Sequence, residues 1–230
     1  VGTTRFDLAP GVISVSKNDI SHTYTHRGLC LDPRQKEVIS QIEKIIEANC
    51  SMIGSYICNG ANAGSDWDTL IYGIKGLNNM QERLPEIIRR LNARLPDNDE
   101  TEKRVARNAK GYPGCEKFFR ECLTDQPTKI YLQDGTEISF INTYELEDET
   151  PIIPIQKVEG NIKTIRDVIK DPTHGFMMPR VYDAEHHRIV SFRWVDRFPL
   201  KPGEEVEIKG TIDNSGNIFL NTPDSYLKRI

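Results

Sequence analysis

The chain has 230 residues, 37% of them hydrophobic and 28% charged, and its 30 basic and 34 acidic side chains give a formal net charge of −4. That length suits one large domain or two small ones with a real core, and the charge balance excludes the basic excess of a nucleic-acid footprint. No apolar run approaches the roughly 18 residues of a membrane span.

In chain order, "GVISVSKNDI" (11–20) alternates apolar and polar residues and predicts a strand, followed by a second strand in "HTYTHRGLCL" (22–31). "DPRQKEVISQIEKIIEANC" predicts a helix capped by Asp32, with Pro33 in its first turn and Val38, Ile42, Ile45 and Ile46 on one stripe. "SMIGSYICNGANAGSD" predicts a short buried segment and a loop. Ser65 or Asp66 is placed to cap a helix that turns Trp67, Leu70, Ile71 and Ile74 inward. "MQERLPEIIRRLNARL" continues helical, weakened near its start by Pro85. The polar stretch "PDNDETEKRVARNAKGYPG" predicts a long loop or a joint between subdomains, and "CEKFFRECL" a short helix.

From residue 128 the texture turns to strands: "KIYLQDGTEISFINTY", "PIIPIQKV", "PRVYDAEHHRIVSFRWV" and "EEVEIKGTIDNSGNIFL". "QDGT" and "DNSG" have hairpin-turn composition, and "NIKTIRDVI" predicts a short helix. Helices over 33–123 and strands over 128–222 make this an α+β chain, expected to be one domain over residues 1–230. The early strands are expected to pair with the later, mostly antiparallel sheet.

Three constellations carry chemistry. Arg27 sits on a strand, and Gly28 after it lets a ligand approach the guanidinium fork closely. Ser139, Asn142 and Thr143 are small hydrogen-bonding groups on or at the end of a strand, suited to orienting a neighbouring carboxylate. Glu205 and Glu207 share one strand face with Lys209, opposite Val206, Ile208 and Ile212. The plain alternative is a half-buried strand with a solvated side.

In this order, Arg-Gly, then "INTY", then Glu-x-Glu, the sequence resembles the mono-ADP-ribosyltransferases of the bacterial-toxin type, the arginine–serine–glutamate class. Asn142 and Tyr144 replace the two serines of the family's Ser-Thr-Ser motif, and the stretch from Thr143 to Glu205 is long for the family. The resemblance implies NAD as substrate, held by Arg27, Gly28, Asn142 and Thr143. It gives Glu207 the stabilisation of a positively charged ribose and Glu205 the contact with the acceptor. It implies a toxin or effector secreted into a host cytosol, with a protein acceptor such as a small GTPase, actin or ubiquitin. Tyr24, Tyr56, Trp67 and Tyr72 are candidates to stack on nicotinamide, and the glycine-rich 58–66 loop is a candidate to touch the cofactor.

Rival readings remain. The five cysteines, odd in number and without a C-x-x-C pair, signal neither disulfide framework nor zinc site, and free structural thiols are expected. A cysteine hydrolase or deamidase would pair Cys30 with His26, or Cys58 or Cys115 with His174 or His186. His186 and His187, adjacent on a strand, face opposite sides, so no metal is expected there. A non-enzymatic binding module would present Arg193 and Trp194 to a partner. The sequence opens on Val1 rather than Met, so a trimmed chain is expected.

Overall fold

The computed structural model describes residues 5–9, 12–15, 31–53, 65–110, 112, 115–145, 148, 160–177, 179–193, 196 and 198–230. The chain is α+β: helices and a small mixed sheet come first, and the strand-rich C-terminal half closes a five-strand mixed barrel. It divides into two compact units. One, the sheet unit, comprises residues 22–102 and 126–148; the other, the barrel unit, comprises 1–21, 103–125 and 149–230.

In the sheet unit, α1 (Pro33–Ile46) forms where the caps predict it. The Asp32 carboxylate accepts from Gln35 N–H at 2.8 Å and the Gln35 side chain accepts from Asp32 N–H at 3.0 Å, which closes a capping box. Its stripe of Val38, Ile39, Ile42, Ile45 and Ile46 is buried. Strand β3 (Cys50–Met52) pairs antiparallel with β4 (Trp67–Tyr72). The chain then enters α2 (Gly73–Leu91), which accommodates Pro85, and returns through β5 (Lys129–Tyr131) and β6 (Glu137–Thr143). Sheet order is β3-β4-β6-β5, with β4 and β6 parallel. Gly76 brings α2 onto this sheet: a Cβ there would lie 2.9 Å from Ile71 Cγ2 and 2.8 Å from Ala48 Cβ. No larger residue fits that approach.

The helix expected from a Ser65 or Asp66 cap does not form. Residues 67–72 form a strand whose burial alternates strictly, and the helix starts only at Gly73. The spacing of Trp67, Leu70, Ile71 and Ile74 satisfied a helical stripe by chance, and Ile74 belongs to a different element. The expected polar loop after residue 96 is α3 (Asn98–Ala109), which buries Val105 and Ala109; the change of unit falls within it, between 102 and 103.

In the barrel unit, α4 (Glu116–Asp125) is the short helix expected. The strands are β7 (Asn161–Asp171), β8 (Arg180–Ala184), β9 (Arg188–Ser191), β10 (Glu205–Ile212), β11 (Asn217–Phe219) and β12 (Tyr226–Arg229). Residues 161–169, expected to be helical, are strand: β7 pairs with all eight residues of β10. Their β-branched density (Ile162, Thr164, Ile165, Val168, Ile169) fits a pleated surface.

Closure runs β7-β8-β9-β11-β10 and back to β7, antiparallel except for β9 beside β11. On its other side β10 meets β12 through Val206–Lys209, then β11 through Thr211 and Ile212. Val206, Ile208, Ile218 and Leu227 pack with Phe118 and Phe119 of α4 and with Phe198 in one core. The early strands β1 (Arg5–Ala9) and β2 (Val12–Val15) pair with each other in a separate two-stranded sheet. Of the two early strands expected to pair with the later sheet, the one at 11–20 is described over β2, which pairs with β1 instead, and the one at 22–31 lies, but for Leu31, outside the described residues.

Candidate functional site

Arg27 and Gly28 lie outside the described residues, as do Tyr24, Tyr56, Cys30, Cys58 and residues 54–64. Asn142 and Thr143 end β6 in the sheet unit, whereas Glu205 and Glu207 open β10 in the barrel unit. The two pairs therefore belong to different units.

The carboxyl edge of the parallel pair β4 and β6 collects several polar groups. Tyr72 is in register with Thr143, and Ile71 with Asn142. At the strand-to-helix turn Gly73 holds φ +83°, a left-handed conformation that suits glycine. The Asp148 carboxylate caps the opening of α2, accepting from Ile74 N–H at 3.3 Å and from Glu145 N–H at 2.6 Å. Asn49 Nδ2 donates to Glu145 at 3.3 Å. A cleft of about 390 Å³ opens here, lined by Asn49, Tyr72, Lys75, Gly76 and Glu145 among others. The Tyr72 hydroxyl is fixed against Ser51 Oγ at 3.0 Å. Trp67, in contrast, is buried in the core, with the Arg34 guanidinium 5.5 Å from its ring centroid.

Asn142 faces the α2 side of the sheet, beside Ile71. It is 1% exposed, and among the described residues neither its amide nitrogen nor its amide oxygen has a hydrogen-bond partner. A bare buried carboxamide costs about 1–3 kcal/mol of desolvation, so its presence calls for a reason. Ser139, the third small polar residue of β6, donates to Asp66 at 3.5 Å.

Glu207 is half-buried on the barrel wall. Lys228, its register partner on β12, lies 2.7 Å away, Tyr226 Oη donates at 2.8 Å, and Arg166 Nε is 3.8 Å off. The Lys228 hydrogen bond, then that of Tyr226, holds this carboxyl below its ordinary range. Glu205, two positions earlier, is exposed. The two glutamates thus occupy different environments on one strand: one neutralised by a lysine, the other in solvent.

Sequence reasoning missed two clusters in the barrel unit. In the first, Asp196 is fully buried and accepts from Arg193 Nε and Nη2, both at 2.9 Å, from Ser191 Oγ at 2.5 Å and from Tyr112 Oη. Burial pushes its carboxyl up to about 6 against the pull of Arg193. Arg193, which the rival binding-module reading would present to a partner, is tied into this core network; Trp194 lies outside the described residues. In the second, Asp167 of β7 meets His186 Nδ1 at 3.2 Å and His187 Nδ1 at 2.8 Å. Both histidines lie in the β8–β9 turn rather than on opposite faces of a strand, and they converge on one carboxylate. No short-range spacing announces this, because Asp167 comes from a neighbouring strand.

Among the described cysteines, Cys50 and Cys122 are buried and their thiols are pushed up to about 12 by burial. Burial raises Cys115 as well. Thiols held protonated are poor nucleophiles. Compared with family models, with curated proteins and with solved structures, the chain matches none.

Proposed function

We propose that the chain binds a dinucleotide of the NAD type and acts as a mono-ADP-ribosyltransferase on a protein acceptor. The observation that carries the binding part is the carboxyl edge of β4 and β6. A parallel pair, with a glycine at φ +83° where β4 passes into α2, opens into a cleft of about 390 Å³. Crevices at the carboxyl ends of parallel strands are where nucleotides settle in α/β units; a phosphate at the opening of α2 has to displace the Asp148 carboxylate, which already accepts from Ile74 N–H. Of the four aromatic candidates for nicotinamide, Tyr72 lines this cleft.

The transfer step rests on the motif order Arg27-Gly28, Asn142-Thr143, Glu205-x-Glu207. In that step the bond between nicotinamide and ribose breaks, positive charge builds on the ribose, and Glu207 stabilises it while Glu205 meets the acceptor. The Lys228 and Tyr226 hydrogen bonds favour the ionised form of Glu207, which this role requires. Its pairing with Lys228 stands against the role, because the lysine already neutralises the charge. The reaction asks for that pair to open.

Two measurements on the whole chain test the proposal. In calorimetric titration with NAD, Tyr72→Ala is expected to weaken binding about 10-fold or more, as loss of a stacking aromatic does. In nicotinamide release, Glu207→Gln is expected to slow the reaction about 100-fold. Binding without nicotinamide release by the wild type removes the transferase step; no binding removes the whole reading.

A further inference from the structure

We infer that β7 and the β8–β9 turn form a binding site for a divalent transition-metal ion of the zinc type, with Asp167, Glu185 and His186 as ligands. Ligand atoms of these three residues all lie within 4.8 Å of one another. The site lies wholly in the barrel unit and is independent of the NAD reading.

One ligand pair already stands at the separation found in a coordination shell. Two ligand atoms on one ion, each bonded at about 2.0–2.1 Å with a near-tetrahedral angle, stand about 3.3 Å apart. His186 Nδ1 and Asp167 Oδ1 are 3.2 Å apart. An ion takes the place of the proton they share, and the neutral imidazole keeps its proton on Nε2.

Charge points the same way. The Asp167 side chain is fully buried, and among the described residues its ion-pair partners are two imidazoles, neither of which carries a permanent charge. A buried carboxylate gains most from a cation that stays charged.

The surroundings hold the ligands in place. His187 Nδ1 donates to Asp167 Oδ2 at 2.8 Å, so the ion takes the Oδ1 lone pair that now faces His186; a hydrogen bond of this kind fixes a ligand from behind. Val168 N–H donates to Asp167 Oδ1 at 2.8 Å and His186 N–H to Oδ2 at 3.2 Å. The turn is tied to β7 by Glu185 N–H donating to Val168 O at 2.9 Å. Across the base of the hairpin, Arg188 braces Asp183 with bonds of 2.6 and 3.2 Å.

One nitrogen and two carboxylate oxygens suit zinc, cobalt or manganese, whereas calcium prefers six to eight oxygens. Three protein ligands leave a tetrahedral position for water. Glu185 and His186 are exposed, so the ion is reached from solvent.

The test is titration of the full chain with Co²⁺, followed by visible absorption, and with Zn²⁺ by calorimetry. One equivalent is expected to bind. His186→Ala and Glu185→Gln alter exposed turn residues and are each expected to weaken it about 10-fold or more, and His187→Ala by about 10–100-fold. His174→Ala is the control and is expected to bind as wild type. Undiminished binding in both His186→Ala and Glu185→Gln overturns the proposal. So does the absence of saturable binding, or a thiolate-to-cobalt charge-transfer band showing that cysteines hold the ion.

Discussion

Two carboxylates of the barrel unit show how little a residue's type says about its state. Asp196 is raised to about 6 by burial, while Glu207 is lowered by Lys228 and Tyr226. Their linkage to stability therefore has opposite signs. Between about pH 4, the ordinary aspartate value, and about pH 6, the folded state binds a proton at Asp196 that the unfolded chain releases. The stability from this group is complete below that window and is lost as pH rises through it. Glu207 contributes above its ordinary value of about 4.3 and loses that contribution as pH falls through its lowered folded value. Urea titrations across pH 3–8 are expected to show both limbs, with Asp196→Asn removing the first and Glu207→Gln the second. At pH 7, Glu207→Gln is expected to cost under about 1 kcal/mol, since a solvent-screened pair is worth little. Arg193→Ala is expected to cost about 3–5 kcal/mol, because it strands a buried carboxylate. An equal loss in the two variants contradicts the contrast drawn here. The alternation at Glu205 and Glu207 was legible in the sequence. The lysine opposite Glu207 was not, since a cross-strand partner depends on a register that no local pattern states.

At the level of elements, legibility followed the locality of the signal. α1 was readable because its cap, its first-turn proline and its stripe are all local. The hairpin at "DNSG" was readable from turn chemistry, and it joins β10 to β11. β4, whose burial alternates strictly, was misread because apolar residues at 67, 70, 71 and 74 also fit a helical stripe, and β7 because its β-branched density was passed over, although it suits a strand. Gly210 shows a constraint invisible in sequence. It sits on β10 where the partner changes from β12 to β11, and a Cβ there would meet the Phe219 carbonyl at 2.7 Å and Ile218 Cγ2 at 2.8 Å. Gly210→Ala is expected to destabilise the barrel by about 1–3 kcal/mol. Hydrogen exchange provides the check: protection is expected to fall at Thr211, Ile212 and Phe219 and to persist in α1. Unchanged protection at β10 and β11 would show that the closure yields without strain.

At the scale of the whole molecule, the α+β segregation was legible and the closure was not. Closing the barrel needs the parallel pairing of β9 with β11, whose residues are separated by β10, and neither strand carries a mark of its partner. The proposed sites share this property. The cleft draws on residues 43–49, 72–76 and 145, and the cation cluster on 167 and 185–187. Such constellations appear only when distant segments meet, so sequence reading reached Tyr72 and Asn142 singly and dismissed the histidine pair.

The interleaving of the two units has a consequence for how the chain is made. Residues 103–125 belong to the barrel unit but precede 126–148, which complete the sheet unit. During synthesis from the N-terminus, the sheet unit has all its strands by residue 148. The α3–α4 segment must then wait for residues 149–230. Phe118, Phe119 and Tyr112 are emitted early, yet the Phe198, Val206, Ile208 and Leu227 side chains of their core arrive about 80–110 residues later, some 5–20 seconds at ordinary translation rates. Over that interval a greasy aromatic cluster has no native cover. A ribosome paused in the 150–200 region therefore holds a nascent chain with a finished half and a sticky one, a natural client for a chaperone.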